Sequence, residues 1–476
     1  MKKIKYILLS LASTFYVGCS DFGDTNIDPN NAVAVDPGTL LTTAEFNFYS
    51  AVNGVTLNAD WGQLMVQYWA QNEYTQESRY SAIDVTSFDG SFNNLYINIL
   101  KELYSAKELA EQQPVGDQIK TNRINIIDVM ISQVFAILTD GYGDVPYTEA
   151  IAEVNLPKYD SQKTIYEGIL ATLDNASQTF NSNFPSFSSG DAIYNGDVAK
   201  WKKFTNSLML RYAMRISDIE PALASDYINK AISYGVFTSN SDNATFVYQS
   251  NINRANPLFF NLDPQGSNRD DYCVSEYLVN TLENMGDPRL DKYAKPASGG
   301  TIVGMPYGLP DNDATVLKPT TSRPNDSVRE AQTPFYIITY SEVEFLLAEA
   351  YQRNIVGGDA ATAYANAITA SMNQWDITDA SAISSYINSN PYDSNNWKQS
   401  IGTQKWVALY MNGVEAWSEW RRLDFPVLAV PAAAEIPTIP VKLPYPLSET
   451  QANSTNLGAV TSNPGSITTK LWWDVN

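Results

Sequence analysis

A chain of 476 residues, 44% hydrophobic and only 17% charged, is long enough to bury a large core and too apolar to be disordered. Its 52 acidic against 31 basic residues leave a formal charge of −21, which makes nucleic acid a poor partner and excludes electrostatic attachment to an anionic bilayer, so any membrane attachment has to be covalent. The chain contains no histidine, which removes Ser-His-Asp and Cys-His catalysis, the HExxH zinc site and every His-ligated metal, and leaves carboxylate pairs as the surviving catalytic device.

The first segment reads as an address. Met1 to Lys5 is basic, Tyr6 to Val17 is apolar and too short to span a bilayer, and Gly18-Cys19 follows. This pattern resembles a bacterial lipoprotein box, with residues 1–18 as signal peptide and Cys19 as the lipidated (palmitate-bearing) first residue of the mature chain. Cys273 is then left without a disulfide partner and reads as a small buried residue.

Apolar residues at helical spacing predict paired helices along the rest of the chain. One pair spans Ile124 to Leu138 and Ile165 to Phe180. A second runs from about Val198 to Ile216, breaks near Pro221 and continues through Tyr227, Ala231 and Ile232 to Gly235. A third places Val343, Leu346, Leu347, Ala350 and Tyr351 before Gly357-Gly358, and Ala360, Ala363, Tyr364, Ala367 and Ile368 after it. The fold class expected is mainly α, with degenerate tetratricopeptide-like helix pairs over about 39–235 and 335–425 and long irregular loops packed on one side. An irregular insert at about 239–334 and an extended C-terminal strap at about 426–476 complete a single domain, 19–476.

Several motifs together carry a family resemblance. They are Asp140-Gly141-Tyr142-Gly143-Asp144-Val145-Pro146-Tyr147, Trp201 with Arg211 and Arg215 downstream, Gly286-Asp287-Pro288-Arg289-Leu290, Glu415-Ala416-Trp417-Ser418-Glu419-Trp420-Arg421-Arg422 and Leu443-Pro444-Tyr445-Pro446. Taken as a set they resemble the SusD/RagB-like outer-membrane lipoproteins, in the branch called SusD-like type two. The resemblance implies a tetratricopeptide-like body held by its N-terminal lipid at the outer membrane, facing the cell exterior and working with a SusC-like TonB-dependent barrel. It implies capture of oligosaccharides, with peptide capture of the RagB kind as the alternative, and neither enzyme activity nor a cofactor. Physically, most of these motifs read as scaffold: Arg211 and Arg215 at i,i+4 demand buried carboxylates, and Trp406, Trp417 and Trp420 recur at helical intervals as core anchors.

A glycan presents apolar C–H faces and a rim of hydroxyls, so its site needs flat aromatics edged by polar side chains. Two irregular stretches combine these types, Trp69 to Phe92 and the region from Asn268 to Arg323. The candidate ligand-binding residues are Tyr74, Arg79, Tyr80, Asn268, Arg269, Tyr307 and Arg323, with Tyr74 and Tyr80 foremost and both expected to tolerate alanine without unfolding. No catalytic residue is assigned, since Glu342 with Glu344 and Glu415 with Glu419 sit at ordinary helical spacings. No metal site is assigned either, because Asp311-Asn312-Asp313 lacks the other ligands and the glycine of a calcium loop.

Overall fold

The helical periodicity in the sequence is realised as paired helices in the computed structural model, which describes residues 35–81, 85–152 and 154–476. The expected signal peptide and Cys19 lie outside the described residues. Within the unit Pro37–Asn476 the scaffold helices are α1 (Pro37–Val52), α2 (Lys101–Gln112), α3 (Asp117–Tyr142), α4 (Gln162–Thr179), α5 (Val198–Arg215) and α6 (Pro221–Tyr234). After the irregular stretch come α7 (Tyr340–Gln352), α8 (Ala360–Gln374), α9 (Trp397–Ala408) and α10 (Gly413–Leu423). The pairs α3/α4, α5/α6 and α7/α8 pack in the antiparallel hairpin manner of tetratricopeptide repeats, and α4 packs on α5 to join neighbouring pairs.

Local chemistry sets the ends of these helices. Ser161, Asp197, Thr339 and Asp359 each occupy an N-cap and accept a backbone N–H of the first turn, and Pro221 opens α6 where no donor is needed. Helix α3 starts two turns before its apolar stripe, because Asn122 donates to the carbonyls of Asn181, Phe184 and Pro185 and so seats the polar first turns on the next loop. It stops at Gly143, whose φ of +96° is unfavourable for any residue with a Cβ.

The irregular stretch is tied down by two small antiparallel sheets. Strand β1 (Trp69–Gln71) pairs with β3 (Tyr272–Val274), and β2 (Ala244–Phe246) pairs with β4 (Phe335–Ile338). The segment after α10 crosses the scaffold without helix or strand as far as Pro446, with the Leu443 N–H donating to Gly141 O and the Trp417 indole donating to Pro440 O, but the strap expected to stay extended over about 426–476 then forms two short helices, Leu447–Ala452 and Ser454–Val460. Trp406 and Trp417 are buried and Trp420 half-buried, and each indole N–H ends on a backbone carbonyl, so all three are anchors of the core.

At the centre the two arginines of α5 meet the carboxylates their spacing demands. Arg211 grips Glu342 through two bonds of 2.6 Å, and Arg215 reaches Asp140, Glu415 and Glu419. Glu419 also receives Arg422 at 2.8 Å and Lys405 at 2.7 Å, and Arg422 continues to Glu349 at 2.6 Å. This chain of buried ion pairs connects α3, α5, α7, α9 and α10. Burial pushes the Glu419 carboxyl up, yet Arg422, Lys405 and Arg215 together hold it well below the usual range. Glu342, Glu415 and Glu419 are thereby paired with arginines of the scaffold, and Glu344 is a buried residue of α7 taking a hydrogen bond from Asn366. The Asp287-Pro288-Arg289 motif is scaffold too, a fully buried ion pair of 2.6 Å.

Removing Arg215 would leave three buried carboxylates without their shared cation. Arg215→Met is therefore expected to cost about 3–5 kcal/mol, seen as a lower urea midpoint at unchanged slope. A loss under about 1 kcal/mol would show that the network does not bear on stability.

Candidate functional site

Pairing of β1 with β3 brings together the two stretches that combine aromatics with polar residues. Their register sets Gln71 opposite Tyr272, and both side chains line an open cleft of about 230 Å³. The opposite wall comes from a π-helical segment, Val55–Gln63, which contributes Thr56, Asp60 and Trp61. That segment is seated on α10 by a backbone-to-backbone crossing: a Cβ on Gly62 would lie 2.4 Å from Gly413 C, so only glycine permits the approach. Asn58 locks the crossing by accepting the Gly413 N–H at 2.8 Å and the Gln63 amide at 3.1 Å. Trp61 stands edge-on to both Phe88 and Trp417, which joins the wall of the cleft to the core beneath it.

Tyr74 crowns the rim. Its ring is 58% exposed, and the Arg269 guanidinium lies 4.5 Å from its centroid. The loop is held rather than loose: Asn72 N–H donates to Asp271 O at 2.8 Å, Thr75 N–H donates to Asp311 at 2.7 Å, and Lys318 pairs with Glu73 at 2.9 Å. Tyr74 and Tyr80 adopt φ of 53° and 57°, a left-handed conformation that costs a bulky residue on the order of 1–3 kcal/mol and that these contacts sustain.

The polar lining is acidic. Tyr272 donates its hydroxyl to Asp60, Gln71 donates to Glu77 at 2.7 Å, and Arg269 is paired with Asp271. Burial pushes the Asp60 carboxyl up to about 7; Glu77 and Asp271 add to the rise, while the Tyr272 hydroxyl and the Arg269 charge oppose it. Burial likewise raises Asp271, against Arg269. Among the described residues no three acidic, cysteine or histidine side chains gather closely enough to hold a metal ion.

The seven residues singled out in the sequence separate here. Tyr74 and Arg269 meet at the cleft. Asn268 is exposed in the adjoining turn with φ of 51°. Tyr80 is buried, its ring 6.3 Å from that of Tyr307, so it is a packing residue and not one that tolerates alanine freely. Tyr307 donates to Leu64 O at 2.8 Å, and Arg79 donates to Thr75 at 3.1 Å. Arg323 pairs with Asp270 at 2.7 Å and donates to Cys273 Sγ at 2.9 Å; Cys273 itself is fully buried. Asp60, Trp61 and Asn261 line the cleft without having been marked by any turn residue or motif in the sequence.

Fold and cleft define a tetratricopeptide-like helical protein whose irregular face carries a solvent-open pocket with an aromatic rim and a carboxylate lining. The chain belongs to the SusD-like family, whose model, described as starch-binding and associating with the outer membrane, matches residues 29–446. Among solved structures it is similar to a chitin-binding protein at 30% identity and a TM-score of 0.82, over 93% of this chain and 100% of the other. A Bacteroidetes SusD-like protein, AC2a, is 25% identical with a TM-score of 0.79 over 93% and 100% of the two chains. A chitin-binding SusD homologue from Flavobacterium johnsoniae shares the fold at 23% identity and a TM-score of 0.77, over 91% and 99%. No curated protein matches the chain.

The raised Asp60 carboxyl makes the cleft a burden on stability. Native Asp60 holds its proton up to about pH 7 whereas the unfolded chain releases it near the ordinary value of 3.8, so between these limits the native state binds more protons and stability falls as pH rises. Asp60→Asn should therefore melt higher than the parent at alkaline pH, with the difference closing as pH falls toward the ordinary carboxylate range. Equal melting temperatures at every pH would contradict the assignment.

Proposed function

We propose that the protein is a glycan-capturing lipoprotein of the outer membrane that delivers oligosaccharides to a SusC-like TonB-dependent transporter. The observation that carries this reading is the Tyr74 ring, exposed at the mouth of a cleft whose floor offers Gln71, Glu77, Tyr272 and Asn261. A flat ring of this kind accepts the C–H face of a sugar, and carboxylates and amides around it accept or donate to ring hydroxyls. Neither interaction changes a covalent bond in the ligand. Two of the similar structures are chitin-binding proteins and the family is described as starch-binding, which supports the same class of ligand.

Strain at Tyr74 and the bonds that sustain it mean that the rim is ordered before ligand arrives, which lowers the entropy lost on binding. Tethering beside a transporter then raises effective concentration, so moderate affinity suffices for delivery. The tether in this reading is the acyl chain on Cys19, since the acidic surface offers no electrostatic hold on lipid.

Calorimetry with starch-derived and chitin-derived oligosaccharides tests the site. Tyr74→Ala is expected to weaken binding about tenfold, equivalent to about 1.4 kcal/mol, without lowering the melting temperature appreciably. Tyr80→Ala is expected to do the reverse, losing about 3 kcal/mol of stability while the folded fraction still binds. Unchanged affinity in Tyr74→Ala for a ligand that the parent chain binds would remove the cleft from consideration, and tight binding of peptides alone would replace the ligand class.

Attachment is tested separately. Cys19→Ser should shift the protein from the membrane fraction to the soluble fraction and abolish labelling by a palmitate analogue. Retention of both in the variant would show that another feature holds it.

A further inference from the structure

The carboxylates of the scaffold and those of the cleft differ in one respect. In the core each carboxylate of the α5 network has an arginine or lysine against it. In the cleft only Asp271 is neutralised, by Arg269, whereas among the described residues no lysine or arginine pairs with Asp60 or Glu77. Asp60 takes the Tyr272 hydroxyl on Oδ1, and its Oδ2 has no hydrogen-bond donor among the described residues. Asn261 adds an independent observation: it is 9% exposed, lines the cleft, and its side-chain amide makes no hydrogen bond to the described residues. These polar groups face the open cleft with hydrogen-bonding capacity to spare, and a ligand that displaces water from the cleft has to supply their partners.

Sugar hydroxyls would complete the amide and could donate to the carboxylates, but they would leave uncompensated the repulsion between Glu77 and an ionised Asp60, which helps to hold the Asp60 proton up to about pH 7. A cation placed there removes that repulsion, and the cleft walls make the attraction stronger than it would be in open water. Anionic sugars, by the same reasoning, meet uncompensated repulsion.

We propose that the cleft is selective for cationic glycans, that is, sugar chains with free amino groups such as glucosamine oligomers, whose ammonium group docks against Asp60 and Glu77 while Tyr74 carries a sugar face and Asn261 holds a hydroxyl. This rests on the glycan reading of the same cleft and narrows it to a charge class. Asp60 and Glu77 set the charge preference, and Tyr74 sets general sugar affinity.

Three hexasaccharides of one length and different charge test the assignment on the full folded protein: the glucosamine, N-acetylglucosamine and galacturonate oligomers. At neutral pH the amino oligomer is expected to bind at least about tenfold more tightly than the N-acetylated one, and the galacturonate not at all. Raising salt from about 20 to about 500 mM should erase most of that advantage in the unmodified protein, a readout that needs no variant. In Asp60→Asn and in Glu77→Gln the ratio of the two affinities should fall toward one, and either variant alone suffices if the other folds poorly. Equal affinity for the amino and N-acetylated oligomers, or equally tight binding of galacturonate, overturns the charge assignment while leaving glycan capture standing. Binding of a lysine-bearing peptide of equal charge as tightly as the amino oligomer also overturns it, in favour of a cationic peptide. If no neutral or charged glycan binds but the cleft variants remain folded, the glycan reading itself fails.

Discussion

The run of buried ion pairs from Glu342 through Arg211, Glu415, Arg215 and Glu419 to Arg422 and Glu349 is the constraint on which the rest of the molecule depends. Taking that many charges out of water is expensive, and it is offset only if each carboxylate finds its guanidinium in good geometry. Because these partners, with Asp140 and Lys405 beside them, come from α3, α5, α7, α9 and α10, the geometry is met in one mutual arrangement of the helices. Hydrophobic contacts among the same helices would tolerate small slides, whereas the bidentate Arg211–Glu342 and Arg422–Glu349 pairs do not.

The constraint reaches the cleft through α10. Glu415, Glu419 and Arg422 fix that helix in the network, and its first residue, Gly413, is the point where the π-helical segment crosses backbone to backbone. Asp60 and Trp61 lie immediately before Gly62 in that crossing, so their positions follow from the same arrangement that satisfies the arginines. Trp61 and Trp417 in edge-on contact extend the coupling through the core. A cleft on an irregular face is in this way carried by the ion-paired helices of the scaffold.

Much of this was legible in the residues, and the reasons for the exceptions are physical. Helix pairs were readable because the apolar stripes of α5 to α8 repeat at helical spacing and end at Pro221, Gly235 and Gly357-Gly358. Arg211 and Arg215 announced buried acids, since two arginines on one apolar helix face have no other way to be accommodated. Tyr74 and Tyr80, by contrast, share residue type, neighbourhood and even left-handed φ, yet one is 58% exposed and the other 2%. What separates them is the contact with Tyr307, more than two hundred positions away in the chain, and local sequence carries no trace of it. Asp60 was hidden for a related reason: a π-helical turn shifts which residues face outward, so a carboxylate that α-helical spacing places ambiguously ends up lining the cleft.

Arg323 and Arg269 show how charge decides role once the fold is known. Both are arginines in the irregular stretch and both pair with an aspartate, but Arg323 also donates to Cys273 Sγ and to the carbonyls of Lys318 and Thr321, which spends its donors on holding the insert together. Arg269 has its single partner Asp271 and the face of Tyr74, and it remains exposed. A side chain whose hydrogen-bonding capacity is exhausted inside the protein can only shape a site, whereas one with capacity left over is available to whatever enters. The same reasoning separates Glu419, enclosed by three cations, from Asp60 and Glu77, which among the described residues form no ion pair: in the first the chain has completed its own chemistry, and in the second it leaves capacity for a ligand.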